Sequence, residues 1–391
     1  MVGLALEGGG AKGAFHMGAV KALLEEGYNF QGVTGTSIGA LNGAIIAQGD
    51  FELGYHMWET IDNSLLFETE DSALAILTSK AKQILENRGI DTSKIRALLD
   101  SIINEKKLRE SGTDFGMVTV SLTDLKPLEL YKEDIPYGKL VDYLMASANY
   151  PAFKIEPLDG KLYIDGGFHD NLPINLLIHK GYREIVAIHT LAIGRVRKIE
   201  DESVNIINIT PSENLGRILN FDNNLIQKNL IRGYFDAMRA IKNLKGKKYY
   251  IEPVNDELIL STLLSISEAT IEIIGKKMDI SPMDPKRMLF EKIIPDLSNM
   301  LGLKGSSSYQ DVIIGILENL AEEKDLDKHK IRKFSDFLEE LKSTDGVKNN
   351  SSPILHHILR KTKLASVLSK EPILKDVAQE LLMVLNPKNF E

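Results

Sequence analysis

Residues 31–43, QGVTGTSIGALNG, limit what this chain can fold into more than any other stretch. Val33 and Thr34 read as the end of a short strand. Gly35-Thr36-Ser37-Ile38-Gly39 follows, and then a small-residue run, 40–47, that reads as a helix. This is G-x-S-x-G in a strand–turn–helix setting, where the motif has mechanical meaning: the turn is so tight that the serine takes strained backbone angles and the flanking glycines let chain pack on chain. The serine oxygen then projects at the end of the strand, beside a helix N-terminus whose free N–H groups favour developing negative charge. The motif alone would arise by chance in about one chain in eight of this length, so the surrounding residues must carry the argument.

The chain begins with a strand candidate, Val2-Gly3-Leu4-Ala5-Leu6, then Glu7-Gly8-Gly9-Gly10-Ala11-Lys12-Gly13, then an amphipathic segment over 14–26. In that segment Phe15, Met17, Val20, Leu23 and Leu24 share one helical stripe. Strand, glycine loop, helix, strand, serine turn, helix is a βαβα start, which implies a parallel sheet covered on both faces. Gly8, Gly10 and Gly13 satisfy G-x-G-x-x-G, but the dinucleotide fingerprint also needs an acid at the end of the second strand. That strand ends in Val33-Thr34-Gly35-Thr36, and the nearest acids, Glu25 and Glu26, lie in the intervening helix. A P-loop fails because Gly13, not Ser or Thr, follows Lys12. A tight turn with no ligand is a further reading. Beside a serine turn, the reading preferred is a set of backbone N–H groups at Gly8, Gly9 and Gly10 aimed at a developing oxyanion.

Further along, 73–87, 93–103 and 105–110 read as helices, with Asp91 and Thr92 as caps for the second. Residues 116–122 and 127–131 read as strands joined by a turn, and 139–147 as a helix ending before Pro151. Leu162-Tyr163-Ile164-Asp165-Gly166-Gly167 reads as a strand that delivers Asp165 to its carboxyl end, where open parallel sheets bind ligands. Strand candidates at 184–191 and 204–210 extend the sheet. Past about Pro211 the pattern turns helical, with a division expected near 244–255, giving domains 1–245 and 246–391.

Glycine loop, serine turn and Asp-Gly-Gly, in that order, resemble the patatin-like phospholipase family of lipid acyl hydrolases. Ala146-Ser147 with Pro151 and Phe153 resembles the family's A-S…P…F segment, and Asp165-Gly166-Gly167 with Asn171 and Pro173 its D-G-G-x-x-x-N-x-P. The resemblance spans about residues 2–245. It implies a three-layer α/β/α domain with a mostly parallel sheet, followed here by an all-α region in which the family offers no guide. It further implies a Ser–Asp dyad without a catalytic histidine: Ser37 as nucleophile, Asp165 as its base, and Gly8, Gly9 and Gly10 as oxyanion donors. Lys12, Gly13, Gly35, Gly39, Gly166 and Gly167 would support the motifs. The family often has arginine where Lys12 stands, so a charge role would survive there but a bidentate contact would not.

The chemistry of the residues agrees with a dyad. A triad in the α/β-hydrolase order needs a histidine after the acid, and His169, His179, His189, His329, His356 and His357 each read better as structural or surface residues. A carboxylate of reference pKa about 3.9 is a weak base unless burial raises it, which suits ester substrates better than peptides. Ser147 and Asp170 are weaker candidates for nucleophile and partner. With no cysteine and no H-E-x-x-H, neither a thiol nucleophile nor a metal centre is expected, and no cofactor. A formal net charge of −8 without a long basic tract argues against nucleic acid. The expected partner is an acyl lipid. The alternative is a non-catalytic lipid-binding or scaffold protein that keeps the fold. No apolar run approaches the ~18 residues of a membrane-spanning helix and no signal segment precedes the first strand, so a cytoplasmic, soluble protein is expected. Residues 354–369 set Leu355, Ile358, Leu359 and Leu364 beside Arg360, Lys361 and Lys363. That pattern fits a packed helix, or one lying in a membrane interface.

Overall fold

The computed structural model describes residues 1–67, 89–303, 305, 307–343 and 370–390. The helix expected over 73–87, the segment 354–369 and His356–His357 lie outside the described residues. The chain divides into two compact units, Met1–Ile241 and Lys242–Glu391.

In the first unit, β1 (Val2–Leu6), α1 (Ala14–Glu25), β2 (Phe30–Thr36) and α2 (Ile38–Ala47) follow one another as the glycine and serine turns dictate. Then come α3 (Phe51–Thr60), α4 (Asn63–Leu66), α5 (Ser93–Ile102), α6 (Glu105–Glu110), β3 (Asp114–Ser121), β4 (Lys126–Tyr131), α7 (Leu140–Ser147), β5 (Tyr163–Asp165), α8 (Ile174–His179), β6 (Glu184–Ile188), β7 (Asn205–Ile209) and α9 (Asn223–Lys242). The strands form one sheet in the order β4-β3-β2-β1-β6-β7, with β5 also on β3. Strands β3, β2, β1, β6 and β7 run parallel. Side chains alternate across β1, so its two faces meet different helices. Ala5 packs with Leu172, Ile174 and Leu177 around α8, while on the other face a Cβ at Gly43 of α2 would sit 3.8 Å from Leu6. Helix, sheet, helix: the fold is the three-layer α/β/α arrangement with a mostly parallel sheet. Helix α1 departs from a simple stripe. Every residue from Ala14 to Val20 is buried, His16 included, and Leu24 near its end is exposed.

The direction of β5 corrects the sequence reading. It is three residues long and antiparallel to β3, with Thr119 opposite Asp165 and Ser121 opposite Tyr163. Strand β2 pairs with β3 only as far as Thr36 opposite Val118, and β4 occupies the other edge of β3 over 116–121. A strand has two edges, so β5 takes the edge that β2 has just left, and runs towards β2 end-on. Asp165 therefore reaches the ligand-binding end of the sheet by register, not by following the parallel strands.

The described residues of the second unit, expected to be all-α, are chiefly helical and include a parallel pair of two-residue strands, Tyr250–Ile251 with Ile331–Arg332. Segments this short carry no alternation that a sequence pattern could signal. Its core centres on Tyr309–Glu323, buried on nearly every side from Val312 to Ala321 and opened by a Ser308–Asp311 capping box. The buried Glu318 carboxylate accepts the Lys248 and Tyr249 amides at 2.7 and 2.8 Å, which fixes the approach to the first short strand.

Candidate active site

Ser37 sits between β2 and α2 with φ 56° and ψ −127°, a backbone region L-residues rarely adopt. The surroundings hold it there. A Cβ on Gly35 would lie 2.2 Å from the Gly39 carbonyl, and one on Gly39 would lie 2.3 Å from the Leu6 oxygen, so strand, turn and helix approach at distances only glycine permits. The Ser37 amide donates to Ser147 Oγ at 3.0 Å, and that hydroxyl donates to the Val118 carbonyl at 2.6 Å. Ser147 is thus no rival nucleophile. It is a fully buried brace between α7, β3 and the serine turn.

Asp165 is 7% exposed, and its Oδ1 accepts the Gly167 amide at 2.8 Å. Burial pushes its carboxyl up to about 6, while hydrogen bonds from the Ser37 side chain and the Gly167 amide pull the other way. The two side chains predicted from 128 residues apart in sequence therefore meet. Thr36 Oγ1 donates to the Asp170 carbonyl at 2.7 Å and ties the end of β2 to the turn after Asp165. A Cβ on Gly166 would meet the Val118 carbonyl at 2.1 Å, so this turn also lies flat on β3. The Asp170 carboxylate accepts the Leu172 and Arg197 amides at 3.3 and 3.2 Å. It holds loops and does not approach Ser37 as the dyad partner.

The glycine loop needs one correction. The Gly8 amide already donates to the Asn171 carbonyl at 3.0 Å, so it is not available to an oxyanion. Among the described residues the Gly9 and Gly10 amides have no acceptor, and both glycines line the same cavity as Ser37 and Asp165. The loop is strapped down by the Ala11 amide on the Ile218 carbonyl (2.7 Å) and by Asn42 Nδ2 on the Gly13 carbonyl (3.0 Å). Gly10 has φ 57° and no room for a Cβ, which would fall 2.0 Å from that Ile218 oxygen.

Lys12 is a strut. Its Nζ donates to the Thr190 and Leu191 carbonyls, both at 3.2 Å, and burial lowers its pKa against the pull of Glu7. Sequence reasoning missed the other half of this clamp. The Glu7 carboxylate accepts the Thr190 and Leu191 amides at 2.5 and 3.0 Å and Asn171 Nδ2 at 3.2 Å. An acid at the end of a buried first strand was the available signal. Strands β1 and β6 are where the chain's order reverses, the crevice in which open α/β sheets bind ligands. The Glu7–Lys12 clamp joins the two loops that leave that crevice.

The cavity over Ser37 has a volume of about 930 Å³ and walls that are chiefly apolar, including Leu41, Ile45, Trp58, Leu66, Leu98 and Phe221. Among the described residues no histidine lines it. His169 pairs with Glu129 (3.1 Å), His179 with Glu200 (2.7 Å) and His189 with Asn208 (2.8 Å).

Comparison with known proteins matches residues 4–178 to the family model of patatin-like phospholipases. Patatin-like phospholipase domain-containing protein ZK370.4 of Caenorhabditis elegans is 26% identical over 268 residues, 64% of this chain and 18% of its own length. Patatin-like phospholipase domain-containing protein 6 of Homo sapiens is 28% identical over 194 residues, 48% of this chain and 13% of its own. The chain spans less than a fifth of the length of the curated relatives it matches. Among solved structures, VipD from Legionella pneumophila aligns with a TM-score of 0.41 and 16% identity, over 99% of this chain and 91% of that one. Over residues 4–178 the chain is similar to the patatin-like phospholipases.

Proposed function

We propose that the protein is a serine acyl hydrolase that cleaves carboxylic esters of phospholipids or related acyl lipids through an acyl-enzyme at Ser37. The observation that carries this reading is the pairing of a strained serine with a buried carboxyl at the mouth of an apolar cavity. Ser37 Oγ attacks the ester carbonyl and Asp165 takes its proton, for which a pKa of about 6 is far better placed than that of an exposed carboxylate. The Gly9 and Gly10 amides receive the oxyanion. As the tetrahedral intermediate collapses, Asp165 returns the proton to the departing alkoxide, leaving the acyl group on Ser37. Water, deprotonated by Asp165, then releases the fatty acid and restores the serine. The apolar walls accommodate the acyl chain. The family match and the names of the relatives support the same substrate class.

The test is labelling by a fluorophosphonate, with the modified peptide identified by mass. The label is expected on Ser37 and absent from Ser37→Ala, which should also lose ester hydrolysis while keeping its melting temperature. A parent protein that folds, takes no label and hydrolyses no ester would leave only the lipid-binding alternative.

A further inference from the structure

The loop between β6 and β7 holds its backbone tightly and turns its apolar side chains outward. Residues 190–198 read TLAIGRVRK. At one end Glu7 and Lys12 bind the amides and carbonyls of Thr190 and Leu191. At the other the Arg195 amide donates to the Gly167 carbonyl at 2.9 Å, and its carbonyl accepts the Asn171 amide at 2.6 Å. The Arg197 amide reaches Asp170 at 3.2 Å. Every one of these anchors belongs to the glycine loop or to the segment that follows Asp165. A loop held this well could bury its hydrophobic residues, yet it does not. Leu191 is forced to φ 52°, and its side chain is 60% exposed, with Ile193 at 105% and Val196 at 48%. Phe168, 58% exposed, lines the same cavity mouth as Leu191 and Ile193. Single exposed apolar residues are ordinary; three around one opening, with Val196 exposed on the same loop, are not.

We propose that this loop is the surface by which the protein docks on an anionic lipid bilayer, Leu191, Ile193 and Val196 entering the interface and Arg195 and Lys198 meeting the head groups. The inference rests on the lipid-ester reading for its purpose. Two observations single out a bilayer as the occupant. The first is continuity: an acyl chain that leaves a membrane beside Ile193 enters the cavity over Ser37 without crossing water, whose exclusion the apolar rim maintains. The second is charge. On a protein of net charge −8, residues 190–198 hold Arg195, Arg197 and Lys198 and no acid. Arg197 is tied to Glu129 and Glu200, but Arg195 makes no ion pair among the described residues, and Lys198, its side chain 88% exposed, meets the likewise solvated Glu202 at 3.2 Å, a surface pair that holds it weakly. Basic residues flanking outward apolar ones are the composition of an interfacial anchor.

The experiment measures co-sedimentation with vesicles of phosphatidylcholine, with and without phosphatidylserine, in the full chain carrying Ser37→Ala so that no lipid is consumed. Binding is expected to need phosphatidylserine and to weaken with salt. Val196→Glu with Lys198→Glu should weaken it on the order of tenfold or more, and Ile193→Ser should weaken it too. Val196→Trp should tighten it severalfold, a gain that misfolding cannot mimic. With Ser37 restored, Val196→Glu/Lys198→Glu should leave turnover of a short soluble nitrophenyl ester unchanged, because neither side chain lines the cavity. Equal vesicle binding by the parent and these variants overturns the proposal. So does an apolar rim that serves a second copy, seen as Ile193→Ser changing the mass in sedimentation and not the vesicle binding. If instead vesicle binding follows the loop while the parent cleaves no ester, the docking surface stands and the hydrolase reading falls.

Discussion

Burial of Asp165 acts on the reaction and on folding with opposite sign. Its carboxyl titrates near 4 in an unfolded chain and at about 6 in the folded one, because desolvation outweighs the hydrogen bonds it accepts. The folded state thus prefers the protonated form. That preference is fully present below pH 4 and is lost as pH rises through 6, beyond which the ionised carboxylate costs on the order of 2–3 kcal/mol. The same ionised form is the proposed base. Ester turnover, as kcat/KM on a soluble substrate, should therefore fall with unit slope below about pH 6 and be flat above it. Asp165→Asn should abolish turnover yet melt higher than the parent at pH 8, with the gap closing towards pH 4. The amide suits the site: its oxygen still accepts the Gly167 amide, and its nitrogen can donate to Ser37. A variant that melts below the parent at pH 8 would mean that the carboxylate is stabilised by something other than those two bonds.

Among the secondary-structure elements, the meeting of Ser37 with Asp165 depends on how β3 divides its edge. The pairing of β2 along β3 stops with Thr36 opposite Val118, and β5 ends with Asp165 opposite the next residue, Thr119, so the chain end that carries Ser37 faces the chain end that carries Asp165. Ser147 on α7 locks this junction, taking the Ser37 amide and binding Val118 itself. Ser147→Ala leaves a buried N–H without an acceptor, which costs about 1–3 kcal/mol, and frees the serine turn to relax from its strained angles. Fluorophosphonate labelling of Ser37 and kcat should drop by roughly 10–100-fold, with KM little changed and the fold retained. A rise in KM alone would make Ser147 a substrate contact. The sequence carried the local parts of this arrangement: the βαβα start, the serine turn, and the long parallel strands all follow from periodicity and glycine placement. It could not carry the direction of β5, the bond from Ser147, or the Gly8 amide's engagement with Asn171. Each of these joins residues 29 or more positions apart, and none leaves a pattern in the residues themselves. Glu7 was legible in type and place, as an acid closing a buried strand. Its clamp on Thr190 and Leu191 was not, since that depends on β6 lying beside β1.

For the molecule as a whole, the cavity and the cores divide along the chain. Among the described residues, every one that lines the cavity, from Gly9 to Phe221, belongs to the first unit. The cluster around Trp58 and Phe221 and the one around Leu177 and Tyr182 are built from first-unit residues alone, while the cluster from Tyr249 to Phe390 is built from the second. A unit of some 240 residues is large enough to bury a core of its own. A chain ending after Leu244 should therefore fold, unfold cooperatively and hydrolyse a short soluble ester at a rate close to that of the full chain. The cut must spare α9, whose Gly233 lets it approach α1 so closely that an added Cβ would lie 2.2 Å from the Phe15 carbonyl. Ending the chain before Asn223 should strip Ile226 and Leu230 from Ala14 and Met17 and give insoluble protein. The comparison to make is fluorophosphonate labelling of the 1–244 chain beside the full one. A shortened chain that melts cooperatively but labels slowly would show that the second unit sets the geometry of Ser37, and would assign it a part in the chemistry that the division of the cores gives no reason to expect.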